Sequence, residues 1–514
     1  MPEVAKDESY DKISQPENTN PISPAQLFAE AKAIYADLAM IEAKCIEEDH
    51  MLASLTRGQP SGRQWYALIN LHRILLHEHH DFLLASQHPS APSDLQILAL
   101  EHNIPTRMWL HGIYSFLEVL RDHLPASLDF MLAFLYLSYS MTALIYEAIP
   151  LFENTWFECL GGISQYRLAL CGQNTREREV WTYNARNWYS KASDRAPTTG
   201  RLYYYRSILA KPEVFQELCL HSKSLCVAYP FISGRKSMLT LFDTPLILKG
   251  KHAPKLPPLD THFVRVHGLL FEQIMENFED EMTQFLRLLK LQIRRVNSRF
   301  TEQGYLVAIS NICAVLDFGS KDNVITRAID GVSTKNTDGS ANIWFERSRL
   351  LHHRTLAVVL EQARDPKILP FIHVFLAFMR CISHSFCAMR LWEARLPWVQ
   401  LVTFLNALSD HLSERVEHDE FPEPAGENWR PFPEDYAMHG LLWTRDYFPI
   451  GWFKKDVEDD ERSIEQASMT SQRKERILWL AYHIAIDKNS PIHWSSTKLM
   501  FSVDFADGMA GWGA

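Results

Sequence analysis

Residues 185–210 read ARNWYSKASDRAPTTGRLYYYRSILA, and this stretch decides the predicted fold. Its small, aromatic and helix-ending positions are Ala185, Tyr189, Ala192 and Pro197. Their steps of four, three and five residues match the second helix of a tetratricopeptide repeat. In such a repeat, small residues let two helices approach and an aromatic ring fills the notch between them. The pattern restarts after Gly200 with Tyr203 as the next anchor, so the stretch predicts a packed seam between two helical hairpins.

The rest of the chain favours an all-α fold. Of its 514 residues, 46% are apolar, 22% are charged and 20 are glycine, a composition that argues against a turn-rich β architecture. Apolar residues recur at helical spacing from Pro24 to Phe242 and again after His262, whereas period-two alternation is scarce.

Polar and proline-rich stretches divide the chain. Residues 244–261 contain four prolines, and residues 319–342 are polar and contain glycine. We therefore predict a disordered tail at 1–23, a helical domain at 24–243, a proline-rich crossover at 244–261, a second helical domain at 262–455 with a mobile loop at 319–342, and an acidic linker, helix and tail at 456–514.

Charge and cysteine usage narrow the cellular setting. The net charge of −10 restricts any nucleic-acid surface to a local patch. The eight cysteines form no Cys-x-x-Cys pair, which indicates reduced thiols in the nucleus or the cytoplasm. Residues 130–146 carry no charge but are flanked by Asp129 and Glu147, so we predict a buried central helix and no membrane partner.

Several motifs together resemble a known family signature. They are Leu160-Gly161-Gly162-Ile163-Ser164-Gln165-Tyr166-Arg167, Ala185-x-x-Trp188-Tyr189-x-Lys191-Ala192, Pro197-x-x-Gly200-Arg201-x-Tyr203, Lys223-Ser224-Leu225 with Pro230-Phe231, Phe263-x-x-x-His267-Gly268-x-Leu270-Phe271, and Pro433-Glu434-Asp435 before Gly440-Leu441. This set resembles the family that unites telomerase-associated Est proteins, with their Est-type DNA/RNA-binding domain, and the SMG adaptors of nonsense-mediated mRNA decay. The resemblance covers roughly residues 60–455.

The resemblance implies a 14-3-3-like tetratricopeptide helical domain packed on a carboxy-terminal stack of helical hairpins. Members act as non-catalytic adaptors. Whether this chain forms a hetero-oligomer with a second family member is left open by the sequence. In the decay branch the groove binds a phosphorylated RNA helicase, and in the telomerase branch the domain is associated with telomeric nucleic acid. Some relatives add a nuclease domain, for which the residues after Pro433-Glu434-Asp435 are too few, so we expect no enzymatic activity.

A phosphoserine groove requires at least two fixed cations. The family's arginine before a tyrosine is replaced here by Gln165, next to Tyr166. The family's second cation falls near Asn70, so Arg73, His72 and Arg167 are the candidate substitutes. The predicted groove residues are thus Arg73, Gln165, Tyr166 and Arg167, and the alternative is a helix pair in which Gln165 and Tyr166 serve packing.

A basic stripe is the candidate nucleic-acid patch. Its members are Arg287, Lys290, Arg294, Arg295 and Arg299, at steps that place most of them on one helix face. The alternative is a solvated face that pairs with Glu272, Glu276, Glu279 or Asp280. Tyr203, Tyr204 and Tyr205 with Arg201 and Arg206 suggest base stacking, but adjacent helical residues point about 100° apart, so we expect mostly packing.

Histidine runs suggest a metal site by composition alone. The runs are His77-Glu78-His79-His80 and His352-His353, and neither has the His-Glu-x-x-His spacing of a zinc site. We therefore predict no metal, no cofactor and no catalytic residues. The sequence favours a helical adaptor for a protein partner; the alternatives are a telomeric DNA- or RNA-binding protein and, because of Gln165, a diverged paralogue with an exchanged ligand.

Overall fold

The computed structural model describes residues 22–54, 60–247, 256–295, 299–331, 339–409, 419–423, 429–454, 457 and 461–503. The predicted disordered tail therefore lies almost entirely outside the described residues. The chain divides into two compact units, Met1–Ala185 (unit 1) and Arg186–Ala514 (unit 2). This division lies within a helix, upstream of the crossover that the sequence predicts at 244–261.

Unit 1 is helical throughout its described residues. Its elements are α1 (Pro24–Ser54), α2 (Gly62–Ser86), α3 (Ser93–Glu101), α4 (Ile104–Arg107), a π-helical segment (Met108–Tyr114), α5 (Ser115–Asp122), α6 (Leu128–Ala148), a 3-10 turn (Pro150–Phe152), α7 (Glu153–Ala169) and α8 (Thr175–Arg195), which continues into unit 2.

Unit 2 adds helices and one short hairpin. The helices are α9 (Gly200–Leu209), α10 (Val214–Leu225), α11 (Gly234–Ile247), α12 (Pro258–Phe271), α13 (Phe278–Ile293), α14 (Phe300–Val315), α15 (Val324–Ile329), α16 (Gly339–Leu360), α17 (Leu369–Ser383), α18 (Phe386–Trp392), α19 (Trp398–Ser409), α20 (Pro433–Met438) and α21 (Met469–Ala485). In the part of unit 2 that the structure describes, four 3-10 turns lie at Asp317–Gly319, Pro366–Ile368, Leu442–Thr444 and Glu461–Ser463. Strands β1 (Ile492–Ser495) and β2 (Met500–Val503) pair antiparallel. The all-α fold class predicted from the sequence is confirmed.

Helix α2 shows how the sequence builds unit 1. A capping box begins the helix: the Ser61 hydroxyl accepts the Gln64 N–H at 3.4 Å, and the Gln64 side chain accepts the Ser61 N–H at 2.7 Å. Apolar and histidine side chains at helical spacing then form its buried stripe. Within this stripe, His72 bridges a carboxylate oxygen of Asp49 at 3.2 Å and the Gly112 carbonyl at 3.1 Å. The stripe thereby packs α2 on α1 and on the π-helical segment.

Helix α6 differs from the prediction of a buried central helix. Both α6 and the segment 366–383 are long and apolar enough to cross a membrane. In the most apolar stretch of each, 39% of the residues of α6 are buried, against 78% in the segment 366–383. One face packs on α2, α5 and α7, whereas Tyr136 and Leu144 project from the opposite face. The sequence could not distinguish these faces because both are made of uncharged residues.

The all-round burial expected of a central helix occurs in α14 and α17 instead. Every residue from Gly304 to Val315 is buried, as is every residue from Leu369 to Met379. These two helices pack on each other, and α10, α16 and α21 pack around them. They form the centre of the unit 2 core, because a helix that is apolar on all sides must be surrounded by other helices.

The predicted loop at 319–342 and the crossover at 244–261 are shorter than expected. Asn323 begins α15 within the predicted loop, since its side-chain oxygen accepts the N–H groups of Ile325 and Thr326 at 3.1 Å each. Helix α16 begins at Gly339, so two parts of that loop are helical. Likewise, α11 continues to Ile247 and α12 begins at Pro258.

The carboxy-terminal residues form part of unit 2. Helix α21 covers the predicted helix, and the β1–β2 hairpin follows it as an element that the sequence did not indicate. The amide of Asn406 on α19 holds the outer edge of β2: it donates to the Phe501 carbonyl at 3.0 Å and accepts the Phe501 N–H at 2.7 Å. A side chain thus satisfies backbone groups that an edge strand would leave open.

Candidate functional site

The motifs that carry the resemblance meet in unit 2. Three segments converge there, residues 197–203, 223–231 and 433–442, and we call their meeting point the motif junction. Tyr203 lies at its centre, with a side chain that is buried to 2% exposure. Its hydroxyl donates to the carbonyls of Pro197 at 2.9 Å and His439 at 3.2 Å. One tyrosine thus connects the start of α9 to the end of α20.

Lys223 makes the second connection in the motif junction. It projects from α10, its ammonium donates to the Ala437 carbonyl at 2.8 Å and the Tyr436 carbonyl at 3.3 Å, and it lies 4.1 Å from the centroid of the Tyr203 ring. These carbonyls belong to the last turn of α20, where a cation complements the helix dipole. Burial, reinforced by nearby Arg206, lowers the pKa of Lys223 to about 7.

Two glycines bring the backbones of the motif junction into contact. A Cβ atom on Gly200 would lie 2.2 Å from the Ser224 carbonyl oxygen, and one on Gly440 would lie 2.0 Å from the Pro197 carbonyl oxygen. Gly440 also has a φ of +87°, which side chains rarely adopt. The motif contains glycine at both positions because neither leaves room for a side chain.

Glu434 links the motif junction to the end of the chain. Its carboxylate is fully buried and accepts two hydrogen bonds from Arg473 of α21, one of which, from Nη2, measures 3.1 Å. It also accepts the Nδ1–H of His373 on α17 at 2.9 Å. Burial alone would raise the pKa of Glu434, but Arg473 and His373 outweigh it and lower that pKa to about 2. Arg473 in turn contacts Glu465 at 2.6 Å.

Asp435, the next residue, fixes the start of α20. One carboxylate oxygen accepts the Phe432 N–H at 3.1 Å and the Trp452 indole N–H at 3.2 Å. Burial raises the pKa of Asp435, and Arg476 opposes that shift. The guanidinium of Arg476 itself stacks over the Phe421 ring at 3.7 Å. The Pro433-Glu434-Asp435 motif therefore organises buried packing and is not presented to a ligand.

Two of the residues predicted to bind phosphoserine, Arg167 and Tyr166, make contacts within unit 1 instead. Arg167 is buried, pairs with Glu177 at 2.7 Å, contacts the Cys171 sulfur at 3.2 Å and lies 5.5 Å from the Trp181 ring. The Tyr166 hydroxyl donates to Glu118, and burial together with this bond raises the pKa of Tyr166.

The other two predicted groove residues are Gln165, which is uncharged, and Arg73, which lies on a different helix from Tyr166 and Arg167. Gln165 is half-buried on α7, next to Tyr166. Arg73 is exposed on α2, which packs on α1 and α6, whereas α7 packs on α6 and α4. Gly162, from the same motif, receives the Trp109 ring, since a Cβ there would lie 2.7 Å from it. The α7 motif thus builds helix packing.

The basic stripe is partly neutralised. Lys290 pairs with Glu361 at 2.6 Å, and Arg299 pairs with Glu213 at 3.3 Å and Glu302 at 3.2 Å. These acids lie outside the set that the sequence suggested. The remaining members are exposed and have no carboxylate partner among the described residues; they are Arg287, Arg294 and Arg295.

The three tyrosines after Gly200 have different surroundings. Tyr203 is buried in the motif junction, whereas Tyr204 packs on Phe231 with ring centroids 4.9 Å apart. Tyr205 stacks on Tyr189 at 5.0 Å. Arg206 donates to the Ser193 hydroxyl at 2.9 Å. The repeat positions Ala185, Tyr189, Ala192 and Tyr203 are all buried, while Pro197 is half-buried at the turn.

The histidine runs do not form a metal site. Among the residues that the structure describes, no group of three or more His, Cys, Asp or Glu side chains is arranged to bind a metal ion. His352 lies among Phe371, Phe375 and Trp392, and neither of its ring nitrogens has a hydrogen-bond partner in the described chain. Burial lowers the pKa of His352 to about 3.

Unit 2 is therefore expected to lose stability in acid. Below about pH 6.5 the histidine is protonated in the unfolded chain, whereas His352 stays neutral in the folded chain. Folding therefore becomes less favourable as the pH falls toward 3. Between pH 7 and pH 5 this one group costs about 2 kcal/mol. The variant His352→Phe, which suits an aromatic site, should weaken that dependence in urea unfolding. Exposed His77→Phe is the control, and equal losses in wild type and His352→Phe would contradict the prediction.

The match to a known protein family lies mainly in unit 2. A family model described as the Est1 DNA/RNA binding domain matches residues 185–448, which is 264 of the 514 residues and falls almost wholly in unit 2. EST/SMG-like protein 2 of Saccharomyces cerevisiae is 23% identical over 170 residues, which represent 32% of this chain and 14% of the yeast protein. The chain thus aligns with a small part of that relative. A chain from a structure of the C. elegans SMG5-SMG7 complex superposes with a TM-score of 0.45 at 9% identity, covering 84% of this chain and 98% of the other.

Proposed function

Because the chain belongs to the Est1 DNA/RNA binding domain family, we propose that it is a non-catalytic helical adaptor that binds a protein partner through unit 1. The packing of the motif residues supports an adaptor. The motif residues are buried, and their polar groups hydrogen-bond to backbone carbonyls, a guanidinium or an indole; these residues are Tyr203, Lys223, Glu434 and Asp435. A catalytic group would have to reach a substrate, whereas these groups hold a scaffold together.

The exposed face of α6 is the observation that carries the choice of unit 1. Tyr136 is 53% exposed and Leu144 is 49% exposed on this face. In the same unit, Val180 and Tyr183 of α8 are also exposed, and Trp181 packs edge-on against Tyr136 with centroids 6.4 Å apart. Contiguous apolar surface on a folded protein marks sites of protein interaction. We call Tyr136, Leu144, Val180 and Tyr183 the apolar face.

The contacts of Arg167 argue for recognition that does not depend on phosphate. Its guanidinium is already paired with Glu177, and Gln165 supplies no charge beside it. A phosphoserine would have to displace Glu177 from this buried cation. An exchanged ligand, bound by the apolar face, fits this arrangement better than the phosphoserine groove that the sequence suggested.

A peptide experiment tests the adaptor proposal. A peptide from the RNA helicase is titrated, with and without phosphoserine, into wild type and into Tyr136→Asp/Leu144→Asp. We expect both peptides to bind wild type with equal affinity and neither to bind the variant. Exclusive binding of the phosphorylated form would favour Arg73 and Arg167 instead, and binding of neither form would remove the helicase as partner.

Nucleic-acid binding by unit 2 is the second candidate function. The observation that favours it is the unpaired part of the basic stripe, Arg287, Arg294 and Arg295, within the segment that matches the family model. Exposed guanidinium groups without a carboxylate partner are available to phosphates at low cost. The overall acidity of the chain confines such binding to patches of this kind.

The triple variant Arg287→Ala/Arg294→Ala/Arg295→Ala tests this candidate. Each phosphate contact on a single strand contributes about 0.7 to the slope of log affinity against log salt, so losing three contacts should reduce the slope by about 2. Fluorescence anisotropy of a single-stranded telomeric oligonucleotide across a salt series measures it. The control Arg63→Ala/Arg73→Ala removes exposed arginines from unit 1, and an equal slope in wild type and the triple variant would contradict the prediction.

A further inference from the structure

The segment from Ser224 to Phe231 is fixed at both of its backbone edges. On one side, the Tyr229 N–H donates to the Thr198 carbonyl at 3.0 Å, and the Gly200 N–H donates to the Tyr229 carbonyl at 2.9 Å. On the other side, the Leu442 N–H donates to the Cys226 carbonyl at 3.1 Å. The Phe231 N–H closes the turn on the Ser224 carbonyl at 3.0 Å. This loop is therefore held in place as firmly as a strand.

The side chain of Tyr229 projects from this fixed backbone into solvent. It is 73% exposed, although its own N–H and carbonyl are both hydrogen-bonded to the start of α9. Tyr203, in the same motif junction, is 2% exposed. An aromatic ring that is presented by a rigid backbone loses little conformational entropy on binding a ligand. Tyr229 is thus a preformed aromatic contact that the packing of unit 2 does not use.

The charge around Tyr229 indicates the kind of ligand. Residues 194–243 contain seven lysines and arginines and four acids, a net charge of +3 within a chain of net charge −10. One of these acids, Glu217, is buried and lies 3.7 Å from Lys211, and Lys223 is buried in the motif junction. Lys236 lies in the first turn of α11 and is exposed. An exposed aromatic ring in a positively charged segment suits a base and its phosphates.

We propose that Tyr229 is a base-stacking site for single-stranded nucleic acid, with Lys236 of the same positively charged segment contacting a flanking phosphate. This proposal rests on the nucleic-acid candidate function and adds a site distinct from the basic stripe of α13. Stacking on an aromatic ring is tolerant of sequence, because every base offers a π face. An uncharged protein ligand would instead use Tyr229 with the neighbouring exposed Ile232, but it would draw no benefit from the positive charge of this segment.

Fluorescence anisotropy of the full chain with labelled oligo(dT), oligo(U) and an abasic oligonucleotide of equal length tests the site. The variants are Tyr229→Ala, Tyr229→Phe and, as a matched exposed tyrosine of unit 1, Tyr66→Ala. We expect Tyr229→Ala to weaken binding of the base-containing strands by about tenfold. Tyr229→Phe and Tyr66→Ala should bind as wild type does. On the abasic strand, wild type and Tyr229→Ala should bind equally, because the phosphate contacts are unchanged.

The outcomes separate this site from the function on which it rests. If wild type binds none of the oligonucleotides at low salt, both the nucleic-acid function and the site are wrong. If wild type binds but Tyr229→Ala binds equally well, the function stands and the site is overturned. A tenfold loss that is equally large on the abasic strand would also overturn stacking, since it would report a phosphate or folding effect. Oligo(dT) and oligo(U) distinguish DNA from RNA.

Discussion

The variant Arg473→Leu is expected to lower the free energy of unfolding by about 3–5 kcal/mol. Arg473 is 1% exposed and neutralises Glu434, which is fully buried. Removing the guanidinium leaves a buried carboxylate that still accepts the His373 N–H at 2.9 Å. An unpaired buried charge costs much more than the pair contributes. Urea unfolding followed by circular dichroism measures the loss.

A second variant separates charge from volume at this site. In Arg473→Leu/Glu434→Gln neither member of the Arg473–Glu434 pair is charged, and the glutamine oxygen can still accept the His373 N–H. We expect this double variant to recover most of the stability that Arg473→Leu loses. The exposed Arg294→Leu serves as the control and should change stability by less than about 0.5 kcal/mol. If the double variant is as unstable as the single one, packing of the long arginine side chain and not charge accounts for the loss.

The helical class and the repeat could be predicted because they depend on local spacing. The stretch at 185–203 forms α8, a turn and the start of α9, and its small and aromatic positions are buried as a helical seam requires. Local pattern is sufficient for these features, because neighbours in a hairpin are also neighbours in the sequence.

The partners of the buried charges could not be predicted, since they lie far apart in the chain. Arg473 reaches Glu434 over 39 residues, and Lys223 reaches Ala437 over 214 residues. Neither pair has a spacing that a sequence pattern reveals. The same limit applies to α6, where the sequence shows an uncharged segment but does not say which face meets a neighbour. The exposure of Tyr229 could not be predicted from the sequence either, because it follows from backbone contacts with residues 198–200.

The candidate groove shows a third kind of limit. The sequence correctly locates Tyr166 and Arg167 next to each other, but the carboxylates that engage them come from other helices, Glu118 on α5 and Glu177 on α8. A cationic side chain is available to a ligand only when it is not already paired with a carboxylate of the protein. The availability of charge, rather than its presence, therefore decides between a phosphoserine groove and an apolar contact surface.

Gly440→Ala is expected to be the most damaging single methyl addition in the motif junction. Its Cβ would lie 2.0 Å from the Pro197 carbonyl oxygen and 2.6 Å from the carbonyl carbon, and both atoms belong to a backbone that Tyr203 also holds. The positive φ of +87° adds about 1–2 kcal/mol for any residue with a Cβ. Overpacking against a fixed backbone adds about 1–3 kcal/mol. The total expected loss of unfolding free energy is therefore about 2–5 kcal/mol.

Gly451→Ala provides a matched control for that variant. Gly451 has a φ of +86°, so its substitution carries the same backbone cost, but its new Cβ would meet the flexible end of the Lys454 side chain at 3.0 Å. The difference between the two variants in urea unfolding therefore isolates the clash with the Pro197 carbonyl. Equal losses would mean that the segment 433–442 can move away from Pro197. In that case the motif junction would be a flexible contact, and Tyr203 and Lys223 could not hold α9, α10 and α20 in one arrangement.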